Sequence, residues 1–262
     1  MTSDKIKTFS CSSPVTVNVF MALYAYCLSD DVTGSMLDVV AGVAGAVPRL
    51  VVCGEIAAVV SDFEGERVSI ERENVFAHER VVQRVLQSVT PLPFRFGTLV
   101  TTEKLAGYVE ANREALMKSM ERVRGCVEMS VKIIWDAEEV RRVGLKMETA
   151  GSQLEEDKQQ ASGKGAAFLI AKRREILGDE VLKERAEELA AWLKLRAGKA
   201  ASATNVQVQA DESLVVRAAF LVERACLQDY QESVEEARAE RTDLRFLTSG
   251  PWPPYSFSNI KP

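Results

Sequence analysis

Histidine is nearly missing from this chain: of 262 residues only His78 is one. A single imidazole removes most metal sites and most histidine-based triads, which need several ligands or a matched base and nucleophile. Cysteine is sparse as well. Cys11, Cys27, Cys53, Cys126 and Cys226 are odd in number and scattered without a CxxC pair, the pattern of reduced, mostly buried thiols in a cytosolic protein rather than a zinc or disulfide framework. No single charge sign dominates. Lys and Arg total 33, Asp and Glu 38, and the net charge of -5 comes from mixed signs spread along the chain, which argues against a nucleic-acid footprint and against a basic membrane-surface patch. Long apolar runs are lacking too. The most apolar window, residues 39–60, is interrupted by Pro48, Arg49, Glu55 and glycines, which suits strands and turns and not a spanning helix. The first 13 residues have no apolar core and do not form a secretory signal; they are expected to be a mobile extension. A phosphate loop fails at Gly163-Lys164, because Lys158 and Gly165 stand where the motif needs a glycine and a hydroxyl.

What the chain does contain is a run that organises it, Pro91-Leu92-Pro93-Phe94-Arg95-Phe96-Gly97-Thr98-Leu99-Val100. Two prolines stop a helix and force extended backbone. Side-chain alternation then places Phe94 and Phe96 on one side and presents Arg95 on the other. Gly97 allows a bend, and Thr101 or Thr102 can cap a following helix.

The remaining pattern is that of an α+β protein. Residues 17–27 are apolar on both faces, as a central strand covered on both sides would be. A short helix is expected through Met36, Leu37 and Val40, and a hairpin joins residues 50–52 to 56–60 across Gly54. Helical spacing runs from Asn74 through Val75, His78, Val82, Val85, Leu86 and Val89, placing His78 on the apolar stripe as a core residue. One long helix is expected over residues 102–124, with Leu105, Val109, Leu116, Met120 and Val123 inward, ended by Gly125. Strict alternation then marks a strand: Val127, Met129, Val131, Ile133 and Trp135 face one side, Glu128, Ser130 and Lys132 the other. Residues 138–165 are polar and glycine-containing and read as a long, mobile connection. A helix over 166–197 with Leu169, Ile176, Leu182, Ala186, Leu189 and Leu193 inward, strands at 205–209 and 214–222, a helix at 224–241 and a strand at 244–248 complete the chain. The expected class is α+β with two domains, each a mixed or antiparallel sheet with helices on one side. The second has the βαββαβ order of a ferredoxin-like unit. The boundaries are a 1–13 extension, a 14–125 domain, a 126–248 domain and a 249–262 strap.

That strap, Ser249-Gly250-Pro251-Trp252-Pro253-Pro254-Tyr255-Ser256-Phe257, has prolines that exclude helix and ladder. Its rings are costly to leave in water, so it must lie on an apolar surface, its own or a partner's.

Together the Pro93-to-Thr98 segment, the His78 helix, the Glu128-to-Lys132 strand, the helix start from Ser162-Gly163-Lys164 to Phe168 with Lys172-Arg173, and the terminal Gly250-to-Phe257 run resemble the gas vesicle protein F/L family (GvpF/GvpL). The resemblance covers almost everything after Pro14; the polar extension before it and Phe94 depart from the usual pattern. It implies an accessory protein of two α+β domains, not an enzyme and without cofactor. Such a protein would be cytoplasmic and associated with the gas vesicle. It would bind the small hydrophobic shell protein and other accessory proteins during nucleation and assembly, with no nucleic-acid or membrane partner. Shell subunits that exclude water must be very apolar and aggregate unless covered. The residues expected to contact a partner are Arg95, Phe96, Gly97, Trp252, Pro253, Pro254, Tyr255 and Phe257. The competing expectation is a small-molecule or catalytic pocket around Arg95 and His78 with Glu79.

Overall fold

The computed structural model describes residues 21–38, 40–136, 140, 142, 164–208, 214–258 and 260–262. The expected extension at 1–13 and nearly all of the 138–165 connection lie outside the described residues. Two antiparallel sheets form the frame. The first is built from β1 (Met21–Ser29), β2 (Arg49–Cys53), β3 (Ile56–Glu64), β4 (Leu92–Pro93) and β5 (Leu99–Val100), ordered β2-β3-β1-β4 with β5 also on β1. The second contains β6 (Cys126–Ile134), β7 (Ala203–Val208), β8 (Leu214–Glu223) and β9 (Arg245–Trp252), ordered β7-β8-β6-β9. Five helices accompany them among the described residues: α1 (Arg72–Leu86), α2 (Thr102–Ala111), α3 (Arg113–Val123), α4 (Lys164–Ala197) and α5 (Leu227–Glu240).

β1 is apolar on both faces because both are covered. Leu23, Ala25 and Leu28 enter a cluster with Leu105, Val109, Leu116 and Met120 of α2 and α3, whereas Tyr24 and Tyr26 enter one with Val81, Val82 and Val85 of α1. Its pairing with β3 shifts register between Ala25 and Cys27, and the extra residue of this bulge lets Tyr26 and Cys27 both face α1. The first sheet thus carries helices on both faces instead of the expected one. β6 sends Val127, Met129, Val131, Ile133 and Trp135 into a cluster with Leu182, Leu189 and Leu193 of α4 and Tyr230 of α5. The opposite face of the second sheet joins the first: Cys126, Ala219 and Leu221 lie in the α2–α3 cluster, so apolar packing crosses Gly125.

Several elements differ from the sequence expectation. The helix near Met36 is only a 3-10 turn at Gly34–Met36, as flanking glycines and a short apolar pattern favour. The long helix is two, broken at Asn112 (φ -116°, ψ 12°). There the Asn side-chain amide donates to the Tyr108 carbonyl at 2.8 Å, the local competition for backbone acceptors that makes Asn a poor interior residue. Ile176, expected inward, is 51 % exposed, whereas Leu182, Ala186, Leu189 and Leu193 are buried as their spacing requires; the Leu169 side chain lies outside the described residues. β9 does not stop at Thr248 but pairs on to Trp252, opposite Glu128, after a register shift. A proline is tolerated there because β9 is an edge strand and the ladder is interrupted at the shift.

Candidate partner-binding site

The organising run forms a turn, and the turn overrides strand alternation. The Thr98 N–H and Oγ1 both donate to the Arg95 carbonyl, at 3.3 and 2.7 Å, and Gly97 sits at φ +84°, a conformation disfavoured for residues with a Cβ. Phe94 is therefore fully buried with Leu92 and Val100, while Phe96 packs into the other cluster beside Tyr24 and His78, at ring separations of 6.3 and 6.0 Å. The two rings go to opposite faces, not to one side. Arg95 is exposed and has no ion pair among the described residues, so the turn presents it.

His78 is 1 % exposed and bonded at both nitrogens, Nδ1 to Tyr24 Oη at 2.9 Å and Nε2 to Tyr255 Oη at 3.0 Å. The Glu79 carboxyl lies near Tyr255; burial pushes its pKa up and the tyrosine hydroxyl opposes that. A neutral imidazole donates from one ring nitrogen and accepts at the other, so one of the two tyrosine hydroxyls donates to the ring and the other accepts from it. Tyr24 Oη in turn accepts the Gly97 N–H at 3.1 Å. One line of polar atoms thus ties the Arg95 turn, β1, α1 and the C-terminal strap. Burial pulls the imidazole down to about 4, against a smaller opposite pull from the Phe94 carbonyl, so His78 is neutral at pH 7. The Tyr26 ring stacks on it at 5.7 Å. No ring nitrogen is left free for a substrate, and Arg95 points to solvent, so the expected Arg95–His78 pocket is not assembled.

The strap lies on the chain's own surface. Pro253, Pro254 and Phe257 are buried, and the Tyr255 and Phe257 amides donate back to the Pro253 and Pro254 carbonyls at 2.8 and 3.1 Å. Ser256 donates from both N–H and Oγ to Glu128, each at 2.7 Å. Glu128 on β6 is consequently buried and not on a solvated face; burial pushes its carboxyl upward, and the two Ser256 donors oppose that. Arg122 stands over the Phe257 ring at 5.8 Å. Gly250 (φ +125°) is required where the strap crosses β6, because a Cβ would come within 2.8 Å of Met129 Sδ and 2.9 Å of the Glu128 carbonyl. Trp252 alone among the strap rings remains substantially exposed, at 39 %. Sequence reasoning did not single out Tyr24 or the Glu128–Ser256 pair. A tyrosine in an otherwise apolar strand was the available signal, since a buried hydroxyl needs a partner.

A protein-family model described as gas vesicle synthesis protein GvpL/GvpF matches residues 22–259. The chain belongs to the GvpL/GvpF family. Among GvpL/GvpF relatives, gas vesicle protein L of Streptomyces sp. (strain CB03234) is 26 % identical over 90 % of this chain and 92 % of its own. Gas vesicle protein L1 of Halobacterium salinarum is 27 % identical over 90 % and 89 %, and gas vesicle protein F2 of the same organism 26 % over 91 % and 92 %. The fold is that of solved GvpF structures: GvpF from Anabaena sp. PCC7120 aligns with TM-score 0.74 at 20 % identity over 92 % of this chain and 98 % of that one. GvpF from Microcystis aeruginosa aligns with TM-score 0.75 at 17 % over 91 % and 99 %. The chain is accordingly a gas vesicle accessory protein. Among the described residues no helix is long and apolar enough to cross a membrane, and no group of three or more His, Cys, Asp or Glu side chains could hold a metal ion.

Proposed function

We propose that this protein acts in the cytoplasm as an assembly factor of the gas vesicle, binding the small hydrophobic shell protein before it joins the shell, together with other accessory proteins. Family membership across residues 22–259 is the observation that carries this reading. A very apolar subunit aggregates unless its surface is covered, which is the physical need such a factor meets. The contact uses the residues that the turn and strap offer to solvent, Arg95 and Trp252. Phe96, Gly97, Pro253, Pro254, Tyr255 and Phe257 set their positions from beneath and beside them.

Co-expression with the shell protein tests this. Wild type should raise the soluble fraction of shell protein and co-purify with it. Arg95→Ala or Trp252→Ala should reduce retention while melting temperature stays nearly constant, since both side chains are exposed. An unchanged soluble fraction, with no shell protein co-purifying with wild type, would overturn the reading.

A further inference from the structure

The outer face of α1 and the exposed Trp252 enclose an open groove of about 550 Å³. Its apolar surfaces are Phe76, 51 % exposed, Trp252, Val40 and Ala41. Val40 and Ala41 also line a second hollow of about 570 Å³ that continues past Leu37, Val47 and Leu50, so the apolar surface forms a track and not a single hole. Large rings left half exposed beside such a track are costly unless something covers them.

Charge says what kind of partner covers it. Arg80 lines the groove with no ion pair among the described residues, and Arg84 donates only to neutral acceptors, the Met36 carbonyl and Gln87 Oε1. Arg72 lies over the Phe76 ring at 5.3 Å. Glu79 is the one carboxylate lining this groove, and the continuing hollow adds Asp38 and Arg49, the latter paired with Asp62, so Arg72, Arg80 and Arg84 leave positive charge in excess around Phe76. A chain of net charge -5 therefore shows a cationic, apolar strip at this place. The geometry points to this groove as the docking site of an amphipathic helix from a partner protein, its apolar side chains on Phe76 and Trp252 and its flanking carboxylates on Arg80 and Arg84. Helices that enter grooves do so with apolar anchors spaced along one face, and the flanking charges set partner choice and on-rate. The inference deepens the assembly-factor reading by naming the surface and the partner chemistry.

Two synthetic helical peptides with the same Leu/Ile face, one flanked by Glu and one by Lys, are the probes, titrated into the full chain by calorimetry. The Glu-flanked peptide should bind at least about tenfold tighter, with a preference that shrinks as salt rises. Phe76→Ser should weaken it about tenfold, and Arg80→Glu should reverse the preference. Both side chains are exposed, so melting curves should match wild type. Equal affinity for the two peptides, indifference to both substitutions, or no binding overturns the proposal. The same variants co-expressed with shell protein separate the two readings. If wild type and variants retain the shell protein equally, the groove fails and the assembly-factor reading stands; if wild type itself retains none, the assembly-factor reading fails.

Discussion

His78 is the residue at which the most of this structure meets. As the chain's one histidine, it gives an unambiguous NMR signal in tag-free protein. Its imidazole carbon-bound protons should hold constant shifts from pH 8 down to about 5, because burial lowers its pKa from 6.5 to about 4. Titration near 6.5 would show an exposed ring and no network. The linkage has a defined sign. Between those two values the unfolded chain binds more protons than the folded one, so stability falls as pH drops from about 6.5 and the loss, about 3 kcal/mol, is complete below about 4. Glu79 and Glu128, whose carboxyls burial pushes upward, act in the opposite sense at the acid end of this window. They remain in His78→Gln, so the difference in pH slope between that variant and wild type, measured by urea unfolding, isolates the histidine. Tyr255→Phe removes the hydroxyl bonded to His78 Nε2 and leaves that buried nitrogen without its partner; unfolding measurements should give a loss of about 1–3 kcal/mol.

At the scale of elements, the turn after β4 and the crossing of β9 over β6 both depend on glycine. Gly97→Ala should cost about 1–2 kcal/mol, the penalty for a Cβ in the left-handed region, and should disturb the Gly97–Tyr24 bond beneath it. Gly250→Ala should cost more than about 2 kcal/mol, since strain is joined by collision with backbone as well as with Met129 Sδ. Thermal melts of the two variants side by side check the order. Asn112 is the contrasting case. Its break divides α2 from α3, yet Leu105, Val109, Leu116, Met120 and Val123 are all buried as their spacing requires, so the apolar stripe survives the loss of helical continuity.

Over the whole molecule, the strap fastens the two sheets together. Tyr255 reaches α1 and, through His78 and Tyr24, β1; Ser256 reaches β6, and Phe257 and Ile260 lie in the cluster shared by β1, α2, α3 and β8. The Gln83 side chain holds the Pro251 carbonyl at 3.0 Å, and Arg224 reaches from the far end of β8 to the Leu86 carbonyl. Deleting everything after Thr248 removes the buried Pro253, Pro254, Phe257 and Ile260 and most of these bonds, a loss of at least about 5 kcal/mol. For a chain of this size the melting temperature should fall by more than about 10 °C, whereas Trp252→Ala should barely change it. Scanning calorimetry distinguishes the two, and a truncation that melts like wild type would show that the strap is not part of the fold.

Periodicity was enough to place the long elements, because the side chains of Val127 to Trp135 and of α1 alternate with the period their own backbone imposes. The family could be read from the Pro93-to-Thr98 and Gly250-to-Phe257 runs, where proline and glycine constrain backbone locally and the order of residues is itself the signal. Where these two runs go is a different kind of fact. Alternation placed Phe94 and Phe96 together, and a single hydrogen-bonded turn sent them to opposite cores. Alternation puts Glu128 on the face opposite Val127 and Met129 without naming a partner, and it is buried there because Ser256, 128 residues away, supplies both its donors. The sequence alone determined which segments fold and to which family they belong; only the tertiary structure decided which polar groups meet, since a buried hydroxyl or carboxylate takes its partner from whichever segment the packing brings within reach, and no local period records that choice.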